Sequence, residues 1–220
     1  MTIEVQHGNA QATHAIIWLH GLGASSNDFP PVVPHLGLKP TPSIRFIFPQ
    51  APSRPITINN GYVMPGWYDI KGISIEEKHD REGIEESRAT IDALIEEQMD
   101  LGVKSENIIL AGFSQGGAIA YYTALRSKHK LGGILALSTY LLYAEQTESE
   151  RNPANNNIPI FTTHGTLDTV VPLQLGRQSA EKLEALGYPV RWKTYPMEHE
   201  INLEQIKAIG NWINDRYESQ

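Results

Sequence analysis

The stretch Ile108-Ile109-Leu110-Ala111-Gly112-Phe113-Ser114-Gln115-Gly116-Gly117-Ala118 runs from an apolar, β-rich segment through a G-x-S-x-G pattern into a helical one. The pattern alone is weak, since roughly one chain in ten of this length carries it by chance. Its setting gives it meaning. A serine on a sharp strand-to-helix turn is exposed at the end of a sheet, and glycines two before and two after it let strand and helix pack closely. The alternative is a turn serine without chemistry.

Working outward, short apolar runs recur at Ala15 to Leu19, Arg45 to Phe48, Gly133 to Leu137, Pro159 to Thr163 and Val190 to Tyr195. They are near-continuous instead of alternating, which predicts strands covered on both faces of a parallel sheet. Helical spacing separates them. Over Glu85 to Leu101, Ile91, Leu94, Ile95 and Gln98 or Met99 recur at three and four residues, and Gly102 follows as a C-terminal stop. Gly116 to Arg126, Leu173 to Leu186 and Leu203 to Tyr217 are further candidates. Strands alternating with helices predict an α/β fold with a mainly parallel central sheet and helices on both faces.

The 220 residues fit one domain spanning 1–220, without repeats or linkers. Tyr140 to Asn157 has the composition of a solvated excursion. The stretch 56–75 is apolar without a clean period, and is expected to cover something. It is either a mobile flap, closing on an acyl chain or dipping Met64, Ile73 and Ile75 into a lipid interface, or a hairpin packed on the body.

A net charge of -7 with no concentrated basic face argues against nucleic acid as a partner. With no cysteine there is no disulfide, thiol nucleophile or thiolate metal site. Met1 to Gln11 is polar, unlike a secretory signal, and no apolar run approaches a membrane span, so a cytoplasmic location is expected.

A serine hydroxyl needs a base within hydrogen-bond reach and a third group to hold that base. On strand-turn-helix elbows of this kind the order along the chain is Ser, acid, His. After Ser114 come His129, His164 and His199, and the only aspartate before the last of them is Asp168. His199 is the only histidine that follows it. Each lies in a loop just past a predicted strand, where a sheet presents groups to a crevice. Ser114 is therefore the candidate nucleophile, His199 the base and Asp168 its orienting acid. Glu198 and Glu200 flank the base and rank lower, since adjacent side chains point apart.

Acyl transfer also needs donors for the developing oxyanion, each worth on the order of 3 kcal/mol. The Gln115 backbone N–H comes with the elbow. The second is assigned to the Leu22 N–H in His20-Gly21-Leu22-Gly23, with Gly23 as the neighbour that could displace it. His20 and His164 are read as structural.

With these residues in hand, the chain resembles the phospholipase/carboxylesterase family of small carboxylesterases and acyl-protein thioesterases, which have the α/β-hydrolase fold. The resemblance rests on Trp18-Leu19-His20-Gly21-Leu22-Gly23, Phe48-Pro49-Gln50-Ala51-Pro52, Met64-Pro65-Gly66-Trp67-Tyr68-Asp69, the elbow, Leu137-Ser138, His164-Gly165 with Asp168, and Met197-Glu198-His199. It implies hydrolysis of esters with modest acyl chains, of thioesters such as S-acylated proteins, and of lysophospholipids, with no cofactor and no metal. It also implies a homodimer, and an acyl pocket built partly from Trp67, Tyr68, Leu22 and the neighbourhood of Val170. Two departures stand out: Glu198 where many members carry Gly, and Ala24-Ser25 where many carry Asp followed by Thr or Ser. The first is expected to act on the acidic limb of the pH–rate profile. A fold kept without its activity, serving as a binding protein, is the alternative from another class.

Overall fold

The computed structural model describes residues 1–72 and 80–218. In chain order the strands are β1 (Ile3–His7), β2 (His14–Leu19), β3 (Ile44–Phe48), β4 (Ser53–Ile56), β5 (Tyr62–Pro65), β6 (Ile108–Phe113), β7 (Gly133–Leu137), β8 (Ile160–Gly165) and β9 (Val190–Tyr195). The helices are α1 (Arg81–Asp100), α2 (Gln115–Arg126), the short α3 (Thr147–Glu150), α4 (Leu173–Ala185) and α5 (Leu203–Glu218).

Seven strands form one sheet in the order β1-β3-β2-β6-β7-β8-β9. β1 pairs antiparallel with β3, and the other pairings are parallel. In β2 every residue is buried, as a strand covered on both faces requires. Its alternate side chains feed two cores. Ala15, Ile17 and Leu19 pack with Ile84, Ile91 and Ile95 of α1 and with α2. Ile16 and Trp18 pack with Ile209, Trp212 and Ile213 of α5 and with Phe29 to Leu36. The continuous apolar runs of the sequence thus reflect two covered faces of one sheet.

α1 begins four residues earlier than its apolar spacing predicts, because the Asp80 side chain caps it by accepting the Gly83 N–H. It ends at Asp100 with Leu101 as its cap, followed by Gly102 at φ +94, a left-handed conformation that glycine adopts without strain.

Two further segments differ from expectation. β1 adds an edge strand that no continuous apolar run announces, since Ile3, Val5 and His7 alternate with exposed Glu4 and Gln6, the period of a strand with one covered face. Tyr140 to Asn157 is more than a solvated excursion, since Leu141, Leu142, Thr147 and Asn155 are buried. Within 56–75, β5 pairs antiparallel with β4 and closes a hairpin. Asn60 at φ 54 and Gly61 at φ +75 supply its turn, while Ile73 and Ile75 fall outside the described residues.

The chain passes from β2 to β3 on one side, then returns to place β6 on the other side of β2. A crevice opens beyond the carboxyl ends of strands where the order reverses in this way. Here the loop after β2 carries His20 to Gly23, and the turn after β6 carries Ser114.

Candidate active site

Ser114 sits between β6 and α2 with φ 53 and ψ -122, a conformation that side chains other than glycine adopt only when the surroundings impose it. The surroundings are tight. A Cβ on Gly112 would lie 2.3 Å from the Gly116 carbonyl carbon, and one on Gly116 would lie 2.5 Å from the His20 carbonyl oxygen. Gly117 faces Thr139 at 2.8 Å in the same sense. The turn is pinned from β7: Ser114 N–H donates to Leu137 O at 2.9 Å, and Thr139 Oγ1 donates to Ser114 O at 2.6 Å.

Asp168 has its side chain wholly buried and its two oxygens divided between two tasks. Oδ1 accepts the Val170 and Val171 backbone N–H groups at 2.9 and 2.8 Å, which fixes the carboxylate within its own turn. Oδ2 accepts from His199 Nδ1 at 2.7 Å. A carboxylate on Nδ1 leaves Nε2 as the free lone pair of the neutral imidazole, the state a general base requires. Ser114 and His199 line one cleft of about 1520 Å³. The Phe113 ring, next to the serine, lies 4.7 Å from the His199 ring. Glu200 lines the same cleft, and Glu198 is exposed.

His164 touches the far side of this arrangement. Its Nε2 donates to Val171 O at 2.8 Å and approaches Asp168 Oδ2 at 3.5 Å, while burial holds its pKa below the ordinary value. A neutral His164 therefore braces the aspartate's turn instead of transferring protons.

The loop after β2 is organised by His20. Its Nδ1 donates to Gly21 O at 2.7 Å, and its Nε2 accepts the Ala51 N–H at 3.1 Å. One ring nitrogen faces a carbonyl and the other an amide, so the imidazole is neutral with its proton on Nδ1. Burial lowers its pKa accordingly. Gly23 N–H donates to Pro65 O at 2.8 Å, which removes it as an alternative oxyanion donor. Among the described residues neither the Leu22 nor the Gln115 backbone N–H has a protein acceptor, and both residues line the cleft.

Trp67 and Tyr68 lie elsewhere than expected. Both are buried outside the cleft wall, whereas Val170 lines the cleft and is 62% exposed. Their backbone meets the elbow: Trp67 N–H donates to Gln115 Oε1 at 2.7 Å, and Gln115 Nε2 donates to Tyr68 O at 2.7 Å. Trp67 Nε1 donates to His20 O at 2.9 Å, and Ser87 Oγ donates to Trp67 O. The aromatic pair thus ties the nucleophile turn to the loop after β2. The sequence carries no signal for this clamp beyond Gln115 itself, a long amide placed in an otherwise small and apolar helix start. The missing part of the wall comes from Tyr140, Leu141 and Tyr143, which follow β7.

Chemically, the cleft joins a half-buried serine hydroxyl, an imidazole oriented by a buried carboxylate, and two amides with no acceptor among the described residues. Such a set serves acyl transfer. Among the described residues no group of three or more His, Asp or Glu side chains is arranged to hold a metal ion.

A family model described as phospholipase/carboxylesterase matches residues 1–216. The chain is 39% identical over 213 residues to acyl-protein thioesterase 1 of Gibberella zeae, covering 93% of this chain and 91% of that protein. It is 39% identical over 212 residues to acyl-protein thioesterase 1 of Debaryomyces hansenii, with the same coverage. Among solved structures, SOBER1 of Arabidopsis thaliana superposes with a TM-score of 0.87 at 30% identity, covering 93% of this chain and 99% of that one. Acyl-protein thioesterase 2 of Zea mays superposes with a TM-score of 0.85 at 27% identity, covering 98% of each chain.

Proposed function

The chain belongs to the phospholipase/carboxylesterase family, and from that premise we propose that Ser114, His199 and Asp168 hydrolyse carboxylic esters and acyl thioesters through an acyl-enzyme. The observation that carries the reading is the divided Asp168 carboxylate, with one oxygen held by two backbone amides and the other on His199 Nδ1. His199 Nε2 takes the Ser114 proton as Oγ attacks the acyl carbon. The tetrahedral oxyanion is received by the Leu22 and Gln115 N–H groups. Collapse breaks the bond to the leaving alcohol or thiol, which departs with the proton from His199. Water then repeats the sequence and frees the acid.

Small esters and thioesters are the substrate class. Within it, the acyl-protein thioesterase relatives favour S-acylated proteins, and Val170 contributes to the wall that meets the substrate. The test compares kcat/KM for a chain-length series of p-nitrophenyl esters and matching S-acyl peptides in the wild type and in Ser114→Ala. Turnover unaffected by that change abolishes the reading, and a stoichiometric fluorophosphonate adduct separates it from that of a silent binding protein.

A membrane encounter through the β4–β5 hairpin is part of the proposal. Tyr62 is 70% and Val63 60% exposed at its tip, and no described helix is long and apolar enough to cross a bilayer. Liposome co-sedimentation with Val63→Asp tests this, since unchanged binding removes it. The homodimer is tested by sedimentation equilibrium and the cytoplasmic location by cell fractionation.

A further inference from the structure

The Tyr68 and Tyr140 hydroxyls are 2.7 Å apart and bonded to one another. Tyr68 is 1% exposed and belongs to the segment clamped by Gln115. Tyr140 is half-buried and forms part of the cleft wall with Leu141, Val171 and Leu175.

The distance does not say which oxygen donates, but proton accounting does. Among the described residues Tyr68 Oη hydrogen-bonds only to Tyr140 Oη. Were Tyr140 the donor, the Tyr68 proton would be buried without an acceptor, an arrangement that folded proteins avoid. Tyr68 therefore donates. Tyr140 Oη then receives one proton and still carries its own, for which no described residue offers an acceptor. Burial raises the pKa of both phenols, so both keep their protons at neutral pH.

From this accounting we propose that the Tyr140 hydroxyl is a specificity-determining donor, held in place by Tyr68, that binds an oxygen atom on the acyl chain of the substrate. The preferred acyl groups carry an ether, keto or hydroxyl oxygen at the point where the chain passes Tyr140. The wall beside it is apolar, so an unsubstituted chain leaves the donor without a partner, and an oxygen at the matching position restores one. Tyr140 takes no proton from the reacting atoms and is not a catalytic residue.

The inference rests on the esterase reading above, and one substrate set distinguishes the two. Straight-chain p-nitrophenyl esters are compared with isosteric esters in which one methylene, scanned along the acyl chain, is replaced by an ether oxygen. The measured quantity is the ratio of kcat/KM for the oxygen-bearing ester to that for its plain counterpart. Because both values come from one preparation, the ratio is independent of the fraction folded. In Tyr140→Phe it falls roughly three- to tenfold at one chain position. In Tyr68→Phe, which frees Tyr140 to rotate, it falls at the same position by less. A ratio unchanged in Tyr140→Phe at every position overturns the proposal, as does a change that appears only when the oxygen is moved to the alcohol side. Failure of the wild type to cleave the plain esters overturns the esterase reading instead.

Discussion

Gln115 accepts the Trp67 backbone N–H on its side-chain oxygen at 2.7 Å, so the residue whose own N–H completes the nucleophile turn also anchors the chain leaving the β4–β5 hairpin. Its amide nitrogen holds Tyr68 O at the same distance. In Gln115→Ala both backbone groups lose their partners in a buried setting. Stability drops by about 2–4 kcal/mol, and kcat/KM falls with it because the loop after β2 loses its tie through Trp67. Urea unfolding alongside ester kinetics checks this, and a shift below about 0.5 kcal/mol contradicts it.

Asp168 separates two roles by atom. In Asp168→Asn the Oδ1 atom still accepts Val170 and Val171, so the turn survives, but an amide in place of Oδ2 donates to His199 and selects the wrong tautomer. Activity is expected to fall on the order of 10⁴-fold with little change in Tm. Asp168→Ala loses the backbone bonds as well and lowers both. Equal losses of Tm in the two variants would contradict this division of labour.

Gly116→Ala tests the packing of the elbow. The added Cβ would stand 2.5 Å from the His20 and Leu19 carbonyl oxygens, both backbone atoms that cannot rotate away. The expected cost is about 1–3 kcal/mol, and the fluorophosphonate labelling rate falls because the displaced backbone leads into the loop that carries Leu22, the proposed oxyanion donor. Retention of the wild-type rate would show that the contact relaxes freely.

Buried neutral histidines set an acid limit to stability. The folded-state pKa values of His164 and His20 lie below 6.5 because burial disfavours the imidazolium. Below 6.5 the unfolded chain binds more protons than the folded one, so this contribution is complete above that pH. It is lost as pH falls from 6.5 through the folded values. Urea midpoints measured from about pH 8 down to about pH 5 should decline in the lower half of that range, and less steeply in His164→Gln. A profile of equal slope in that variant would clear His164 of the role.

The central sheet is legible in the sequence because β2, β6 and β7 are covered on both faces, and covered strands write unbroken apolar runs. β1 lies at the edge and writes only the alternation of Ile3, Val5 and His7. The pairing of Asp168 with His199 follows from chain order and the scarcity of candidates. Trp67 and Tyr68 are expected on the acyl wall only because the family resemblance implies it, and the structure buries both away from that wall. Their burial depends on backbone bonds to Gln115, a contact 48 residues away that no local pattern announces. Tyr140 and Leu141 are illegible for the converse reason, since the Glu and Asn residues that follow them mask a segment anchored in the core.

The Gly23–Pro65 bond also bears on how such enzymes are re-engineered. Loop exchange treats a surface hairpin as a detachable cassette, free to be swapped among homologues to alter substrate range. Here the cassette's last strand is spliced to the peptide unit beside the Leu22 N–H proposed as an oxyanion donor. A graft that shifts the register of residue 65 by one position would therefore impair chemistry before it altered selectivity, and library designs are best cut between Pro55 and Val63, leaving Pro65 to Tyr68 in place.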